Sequence, residues 1–365
     1  MESKLSFRHI NACIEKGISF AAYSLPSYNT FEFILPENIY SFNDLSEVDK
    51  KSGFIFHPFS IKESKILFLE CEDSINQGQN CESLNELILS QPKIKNAPKC
   101  EPSTTKESYS DSFDVSIEKL KDLIFSKIVL SRIQFKETKV DPVFLFEKLV
   151  MTYPNNFNYI FFNEESGCWL GSSPEVLYAE KGNVAKTVAL AGTQAINALS
   201  SYNWGEKEIE EQRIVVEYIM DILEKHINTE IRRTDETIEA AQVAHLKSIF
   251  SFPKKEISNI TSLIKDLHPT PAVCGLPKSE AQIFIESIEK HDRAYYSGFL
   301  GPYNLKEQSN LFVNLRCLKA CSDGMNLFIG GGITQLSDKE SEWRETELKA
   351  KTLLSIIEEI EDGSI

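Results

Sequence analysis

The chain lacks most of what would staple it, anchor it or draw it to nucleic acid. Its eight cysteines, at positions 13, 71, 81, 100, 168, 274, 317 and 321, are scattered along 365 residues. Only Cys317 and Cys321 lie close together, and no second Cys or His pair completes a zinc-ligand spacing. They read as reduced thiols. A basic face is missing as well: 39 Lys and Arg stand against 54 Asp and Glu, a formal net charge of -15. Binding a phosphate backbone needs a basic patch to displace counterions, so no nucleic-acid partner is expected. No apolar run approaches the roughly 20 residues of a membrane-spanning helix. The N-terminus, MESKLSFRHINACIEKGISF, has neither the apolar core nor the cleavage pattern of a signal peptide. The expectation is a cytoplasmic protein with no membrane partner.

What is present is the mix of a globular chain, 42% hydrophobic and 25% charged, long enough for one large or two ordinary domains. Residues 1–90 predict a helix from Phe7 to Lys16 and then short apolar strands, ISFAAYSL, FEFIL, SGFIFHPF and SKILFLE, set apart by Pro, Asn and Ser. Residues 91–114, with three prolines and many Ser and Thr, predict a mobile linker. An amphipathic helix over Val115–Phe125 follows, then the β-branched strand SKIVLSRIQF with Lys127 at its entrance. A helix over Pro142–Tyr153 precedes the strands FNYIFFNE and GCWLGSSPEVLYAE, the latter carrying Glu175 directly after Pro174. A further strand, AKTVALAGTQ, is expected to end in a Gly192–Thr193 turn. Strands alternating with helices predict mixed α/β layers, and no internal repeat is visible.

Candidate chemistry gathers toward the C-terminus. Phe328–Leu354 passes from an apolar run through Gly330, Gly331 and Gly332 into a helix capped by Ser337 or Asp338. The apolar stripe of Leu353, Ile356 and Ile360, traced backwards, runs through Lys349, Glu345 and Glu342. Acid in a first helical turn also suits the helix dipole, so a solvated face is the competing reading. Glu211 lies likewise on the apolar phase of the helix EKEIEEQRIVVEYIMDIL, one turn before Val215. Inward carboxylates on two helices are the minimum a protein supplies to a magnesium ion, the rest coming from water and substrate oxygens. His245, in the strand AQVAHLKSIF, reads first as a packed core residue. The helix after the loop HPTPAVCGLPKSEA runs to His291, and RAYYSGFLGPYN with NLFVNLRCLKA predicts a hairpin. Arg316, between Leu315 and Cys317, needs an anionic partner, structural or ligand.

Taken in order, SKIVLSR, GSSPEVL, ALAGT, KEIEEQRIVV, HPTPAVCGLP, YYSGFLGPY, NLRC, GGGI and ESEWRETELKAK resemble the motifs of the chorismate-binding enzymes, and among them the isochorismate synthases. The resemblance covers roughly residues 115–360. It implies one domain over residues 1–365, α+β in class, with two facing β-sheets forming a core surrounded by helices. Residues 1–90 would add strands to that core, and 91–114 would be an internal loop. It also implies the branch. Amine-forming members resemble one another in a Gln at the position of Lys127 or a Lys at that of Ala191, so this chain looks like a water-using member with no glutaminase partner.

The implied reaction is Mg²⁺-dependent conversion of chorismate to isochorismate, with Lys127 as base toward the attacking water and Glu175 as acid toward the leaving hydroxyl. Glu211, Glu345 and Glu342 would hold Mg²⁺. Gly192 and Thr193 would bind the ring carboxylate. Arg316, Tyr296, Lys349 and the backbone at Gly330 and Gly332 would meet the enolpyruvyl carboxylate, with His245 near the ring hydroxyl. Gln212 departs from the family pattern, where a His follows the metal-binding Glu. The expected assembly is a monomer or weak dimer, and the expected pathway is menaquinone biosynthesis. A siderophore-pathway enzyme, a salicylate synthase that also eliminates pyruvate, and a non-catalytic chorismate-binding subunit are the alternatives.

Overall fold

The computed structural model describes residues 3–93, 97–196, 202–240 and 243–364. Its helices are α1 (Phe7–Glu15), α2 (Glu82–Ser90), α3 (Lys106–Lys121), α4 (Pro142–Thr152), α5 (Glu206–His226), α6 (Ile260–Leu267), α7 (Lys278–Ile288) and α8 (Lys339–Glu361). The strands begin with β1 (Phe20–Ser24), β2 (Glu32–Ile34), β3 (Asn38–Phe42), β4 (Gly53–His57), β5 (Ile66–Glu70) and β6 (Ile75–Asn76). The middle of the chain adds β7 (Lys127–Glu137), β8 (Phe157–Asn163), β9 (Gly167–Ser173), β10 (Val176–Lys181), β11 (Val184–Ala195), β12 (Arg232–Ala240) and β13 (Val243–Pro253). The last are β14 (Gly275–Leu276), β15 (Phe299–Tyr303), β16 (Asn310–Val313), β17 (Cys317–Ala320) and β18 (Gly324–Ile333).

The strands form two antiparallel sheets, in the orders β14-β7-β18-β17-β9-β8-β1-β2-β6 and β12-β13-β11-β10-β16-β15-β4-β5-β3. The sheets face each other across an aromatic core in which Tyr23, Phe161 and Trp169 of the first meet Phe54, Phe56 and Phe312 of the second. Phe56 and Phe161 approach to 4.5 Å between ring centres, and Phe157 and Phe312 to 4.2 Å. Helices α1, α2, α4 and α8 cover the outer face of the first sheet, and α5 and α6 that of the second. Central strands are therefore buried on both faces, as β8 is at every position, which is why they read as continuous apolar runs rather than alternating ones. Each fully buried Leu or Phe in these layers contributes about 1.5–3 kcal/mol.

Two of the places where the chain passes from one sheet to the other lie at the same end of the core. GCWLGSSPEVLYAE is two strands, β9 in the first sheet and β10 in the second, parted at Pro174–Glu175. Proline has no N–H to continue a ladder, so pairing stops there. NLFVNLRCLKA divides in the same way: β16 belongs to the second sheet and β17 to the first, and Arg316 between them takes a left-handed φ of 47°. The expected hairpin is β15–β16 alone, and Arg316 lies in a crossing rather than in a strand. The two crossings lie side by side, since Val313 N–H donates to Glu175 O at 3.0 Å and Ser172 N–H to Arg316 O at 3.1 Å. Buried Asn314 secures them, accepting from Tyr159 OH at 2.6 Å and donating to Tyr295 O at 2.9 Å.

Other boundaries also differ from expectation. Helix α3 starts at Lys106, nine residues before Val115, because Thr105 caps it by accepting from Ser108 N–H. Residues 103 and 104 lie along β7, with Thr104 N–H donating to Ile133 O at 2.9 Å and Ser103 Oγ accepting from Phe135 N–H at 2.9 Å. Much of the 91–114 segment is thus docked or helical, while positions 94–96 lie outside the described residues. Strand β13 is described from Val243, positions 241 and 242 of its expected start lying outside the description. The polar strand β12, RRTDETIEA, was missed because it pairs only with β13 at a sheet edge and carries no apolar alternation. Helix α7 ends at Ile288 rather than His291. Gly192–Thr193 is a bulge inside β11, not its end, and Gly330–Gly332 continue β18, paired with Ser131, Leu130 and Val129. Asp338, not Ser337, caps α8, accepting from Ser341 N–H at 2.9 Å.

Candidate active site

Beside the two crossings, where β7, β18, β11 and β13 present their ends to helices α5 and α8, a cavity opens that spans about 790 Å³ when its solvent-filled mouth is counted. Glu175, Thr193, Glu211, His245, Tyr296, Arg316, Gly330, Gly332 and Lys349 line it. Lys127 joins through Glu211, its Nζ lying 2.9 Å from Glu211 Oε1, and its side chain is fully enclosed. Gly192 stands behind His245, whose Nδ1 is 3.3 Å from Gly192 O. Glu342 and Glu345 reach the site from the first turns of α8, each within ion-pair distance of Lys207 on α5. Every residue expected to act is therefore in one neighbourhood.

Close approach explains the glycines. A Cβ on Gly332 would fall 2.2 Å from Glu211 Oε1 and 2.8 Å from Lys127 Cε. Only a bare backbone leaves room for that pair. A Cβ on Gly330 would lie 2.7 Å from Tyr296 OH, and the Gly330 carbonyl accepts from Lys349 Nζ at 3.1 Å. Gly192 holds a φ of 67° in the β11 bulge, which sets Thr193 opposite His245 in the ladder.

Charge divides the cavity. At one end Arg316 is partly buried, its Nη2 is 3.1 Å from His245 Nε2, and its Nη1, shielded from solvent, has no hydrogen-bond partner among the described residues. Burial brings the guanidinium down to about 10. His245 is held neutral by burial and then by the charges of Arg316 and Lys349, well below the usual imidazole range. Its Nε2 accepts from Arg316, which leaves Nδ1–H to donate to Thr193 Oγ1 at 3.2 Å or to Gly192 O. A buried, orphaned guanidinium donor costs about 1–3 kcal/mol or more until an anion meets it, and its fork geometry suits a carboxylate.

At the other end are Glu211, Glu342 and Glu345. Glu211 pays for burial, but Lys127, Lys207 and Lys349 outweigh that and bring its carboxyl below the ordinary value. Glu342, wholly buried, is pushed up to about 7 by desolvation and then by Glu345, against the pull of Lys207. Three carboxylates of this kind are the hard oxygen donors that magnesium takes. Each is instead matched to an ammonium, and among the described residues no three His, Cys, Asp or Glu side chains close on one point as a metal site would require. The donor chemistry fits a divalent cation; the present pairing has to loosen to admit it.

Glu175 sits between the ends, 2% exposed. Desolvation raises its carboxyl to about 8, against the opposing charges of Lys127, Lys349 and Arg316. Of the carboxyls in the site it is raised furthest and so keeps its proton at neutral pH, as a proton donor must.

Three supporting groups escaped the sequence reading. Lys207 lies one helical turn before Glu211, in a charged first turn that reads as a solvated face. Glu289 and Arg293, buried and paired at 2.7 and 2.8 Å, tie the loop at Val273 to β7, because Arg293 donates to both Val273 O and Val129 O. No local pattern marks them. Gln212, where a His was expected, accepts from Ala191 N–H at 2.8 Å and donates to Ser248 Oγ at 3.1 Å, so it docks α5 onto β11 and β13.

Comparison with known proteins identifies the family and matches the fold. A family model described as chorismate binding enzyme matches residues 47–358. Isochorismate synthase EntC of Escherichia coli strain K12 is 29% identical over 244 residues, 63% of this chain and 62% of that protein. Isochorismate synthase DhbC of Bacillus subtilis strain 168 is 30% identical over 274 residues, 68% of this chain and 67% of that protein. The chain thus spans roughly three-fifths to two-thirds of the length of these relatives. The solved structure of MenF, the menaquinone-specific isochorismate synthase of Escherichia coli, superposes with a TM-score of 0.75 over 95% of this chain and 90% of that one, at 21% identity.

Proposed function

The chain belongs to the chorismate-binding enzymes, and from that premise we propose that it is an isochorismate synthase, moving a hydroxyl from C4 to C2 of chorismate by addition of one water and loss of another. Relatives named for menaquinone and for siderophore synthesis share the isochorismate synthase name, so the proposal is one of reaction. The observation that carries it is Glu175, a buried carboxyl kept protonated and opening into the same cavity as the orphaned Arg316 donor.

Arg316 Nη1, with Lys349 and Tyr296, binds the enolpyruvyl carboxylate, and Thr193 and the backbone at Gly192 bind toward the ring carboxylate. Lys127 takes a proton from the water whose oxygen bonds to C2. Glu175 gives its proton to the oxygen leaving C4, so that the departing group is water. Lys127 can accept a proton only as the free amine, so it must first give up its ion pair with Glu211. A magnesium ion held by Glu211, Glu342 and Glu345 would bind the ring carboxylate and offset its charge. Gln212 leaves the metal-binding Glu211 unobstructed because its amide is spent on the backbone of β11.

Incubation of the purified protein with chorismate and Mg²⁺, followed by separation of the products, tests the reading. Isochorismate is the expected product. Salicylate with stoichiometric pyruvate would make it a salicylate synthase, and tight chorismate binding without conversion would make it a binding subunit.

A further inference from the structure

Lys207 has no place in the chemistry above, yet it lies at its acidic end. Its Nζ is 2.6 Å from Glu342 Oε1 and 3.7 Å from Glu345 Oε2, on a side chain 20% exposed. Three carboxylates, Glu211, Glu342 and Glu345, are balanced here by three ammonium groups, those of Lys127, Lys207 and Lys349. A divalent cation added to this set would meet no net negative charge, so an ammonium has to withdraw for it to bind with normal strength.

The three differ in freedom. Lys127 is wholly enclosed between β7, Gly332 and Glu211. Lys349 has a second tie, donating to Gly330 O as well as pairing with Glu345. Lys207 stands in the first turn of α5, its stem reaches the solvent edge, and among the described residues its ion-pair partners are Glu342 and Glu345 alone. It is one helical turn from Glu211 and so shares the face that Glu211 presents to the site. A flexible four-carbon stem lets it swing aside without moving the helix.

We propose that Lys207 is a tethered cation that occupies the divalent-metal position between Glu342 and Glu345 and withdraws when the metal enters, so that this lysine sets the metal affinity. The proposal rests on the magnesium part of the functional reading. By holding buried Glu342 and Glu345 together it keeps like charges from driving α8 off the site when no metal is bound. In return it lowers the apparent affinity by the fraction of molecules in which it is in place.

Calorimetric titration of the full chain with MgCl₂ at neutral pH, beside thermal melting with and without the ion, tests this on the native protein and on Lys207→Met, with Lys207→Gln as a second neutral variant. If the lysine occupies the position about nine-tenths of the time, its loss tightens the apparent Kd by about tenfold. Melting without Mg²⁺ falls, and the rise on adding Mg²⁺ becomes larger than in the native chain. Lys207→Arg, which keeps the charge, gives no tightening. Magnesium affinity that is unchanged or weaker in both neutral variants, with the native protein binding normally, overturns the proposal and leaves the functional reading standing. Absence of Mg²⁺ binding in every variant overturns both. Glu345→Gln, expected to bind weakly in either background, marks where the ion sits.

Discussion

The two ends of the cavity meet a ligand in opposite states of readiness. At the cationic end Arg316 keeps a buried donor unpaired and His245 neutral beside it, so an arriving carboxylate finds a partner waiting. At the acidic end every carboxylate already has an ammonium. The first end is preorganised, so filling it needs little rearrangement of the protein. The second is self-neutralised and has to be opened. The difference teaches that the two ends need not be built alike: the Arg316 end can stay as it is when an anion arrives, whereas in the proposed mechanism the Lys127–Glu211 pair has to part.

The proposed base and acid, Lys127 and Glu175, give the largest expected effect. Lys127→Ala or Glu175→Gln should each lower turnover on the order of a hundredfold or more, the usual worth of a general acid or base. Steady-state kinetics on chorismate with saturating Mg²⁺ measure it, and near-native turnover in Lys127→Ala would remove the mechanism. Next comes the preorganised end. Arg316→Met should raise KM by about tenfold to a hundredfold with a smaller change in kcat, corresponding to about 1.5–3 kcal/mol for a hydrogen bond to a charged group. An effect confined to kcat would mean that Arg316 does not hold the substrate in its ground state.

The smallest effect is the dependence on pH. Because the Glu175 carboxyl is raised from 4.5 to about 8, its stabilising contribution is complete below 4.5 and is lost as pH rises through about 8. Between Glu175→Gln and the native protein, the stability difference measured by denaturation should therefore be steady below about pH 4.5, shift in favour of the variant between 4.5 and about 8, and be level again above that. Turnover of the native enzyme should fall over the same alkaline range, since the proton that Glu175 donates is gone. A turnover that rises across pH 8 would reassign the acid.

Much of the site could be read from residue types in order. Glu211, Glu342, Glu345 and Lys349 followed from helical phase, and the phase was right: Glu342 is wholly buried and Glu211 lines the cavity. The facing sheets followed from the motifs, and residues 1–70 supply β1–β5 to both of them. The two crossings could not be read, because an apolar run broken by Pro174 or by Asn314–Arg316 has the same period whether it stays in one sheet or changes sheets. Lys207 was overlooked because a lysine in a charged first helical turn is indistinguishable from a solvated one until α8 packs against it.

By itself, then, the sequence determined which residues carry charge into the interior and on which helical faces, since periodicity and side-chain chemistry are local properties. It also determined that Gly332 is small enough for a crowded place. Tertiary structure alone decided that Lys127 and Glu211 fill that place, that Glu175 loses its water and keeps its proton, and that Arg316 is left with a donor to spare. Desolvation and pairing depend on what the rest of the chain brings alongside, and that is set by the crossing of the chain between two sheets rather than by any one segment.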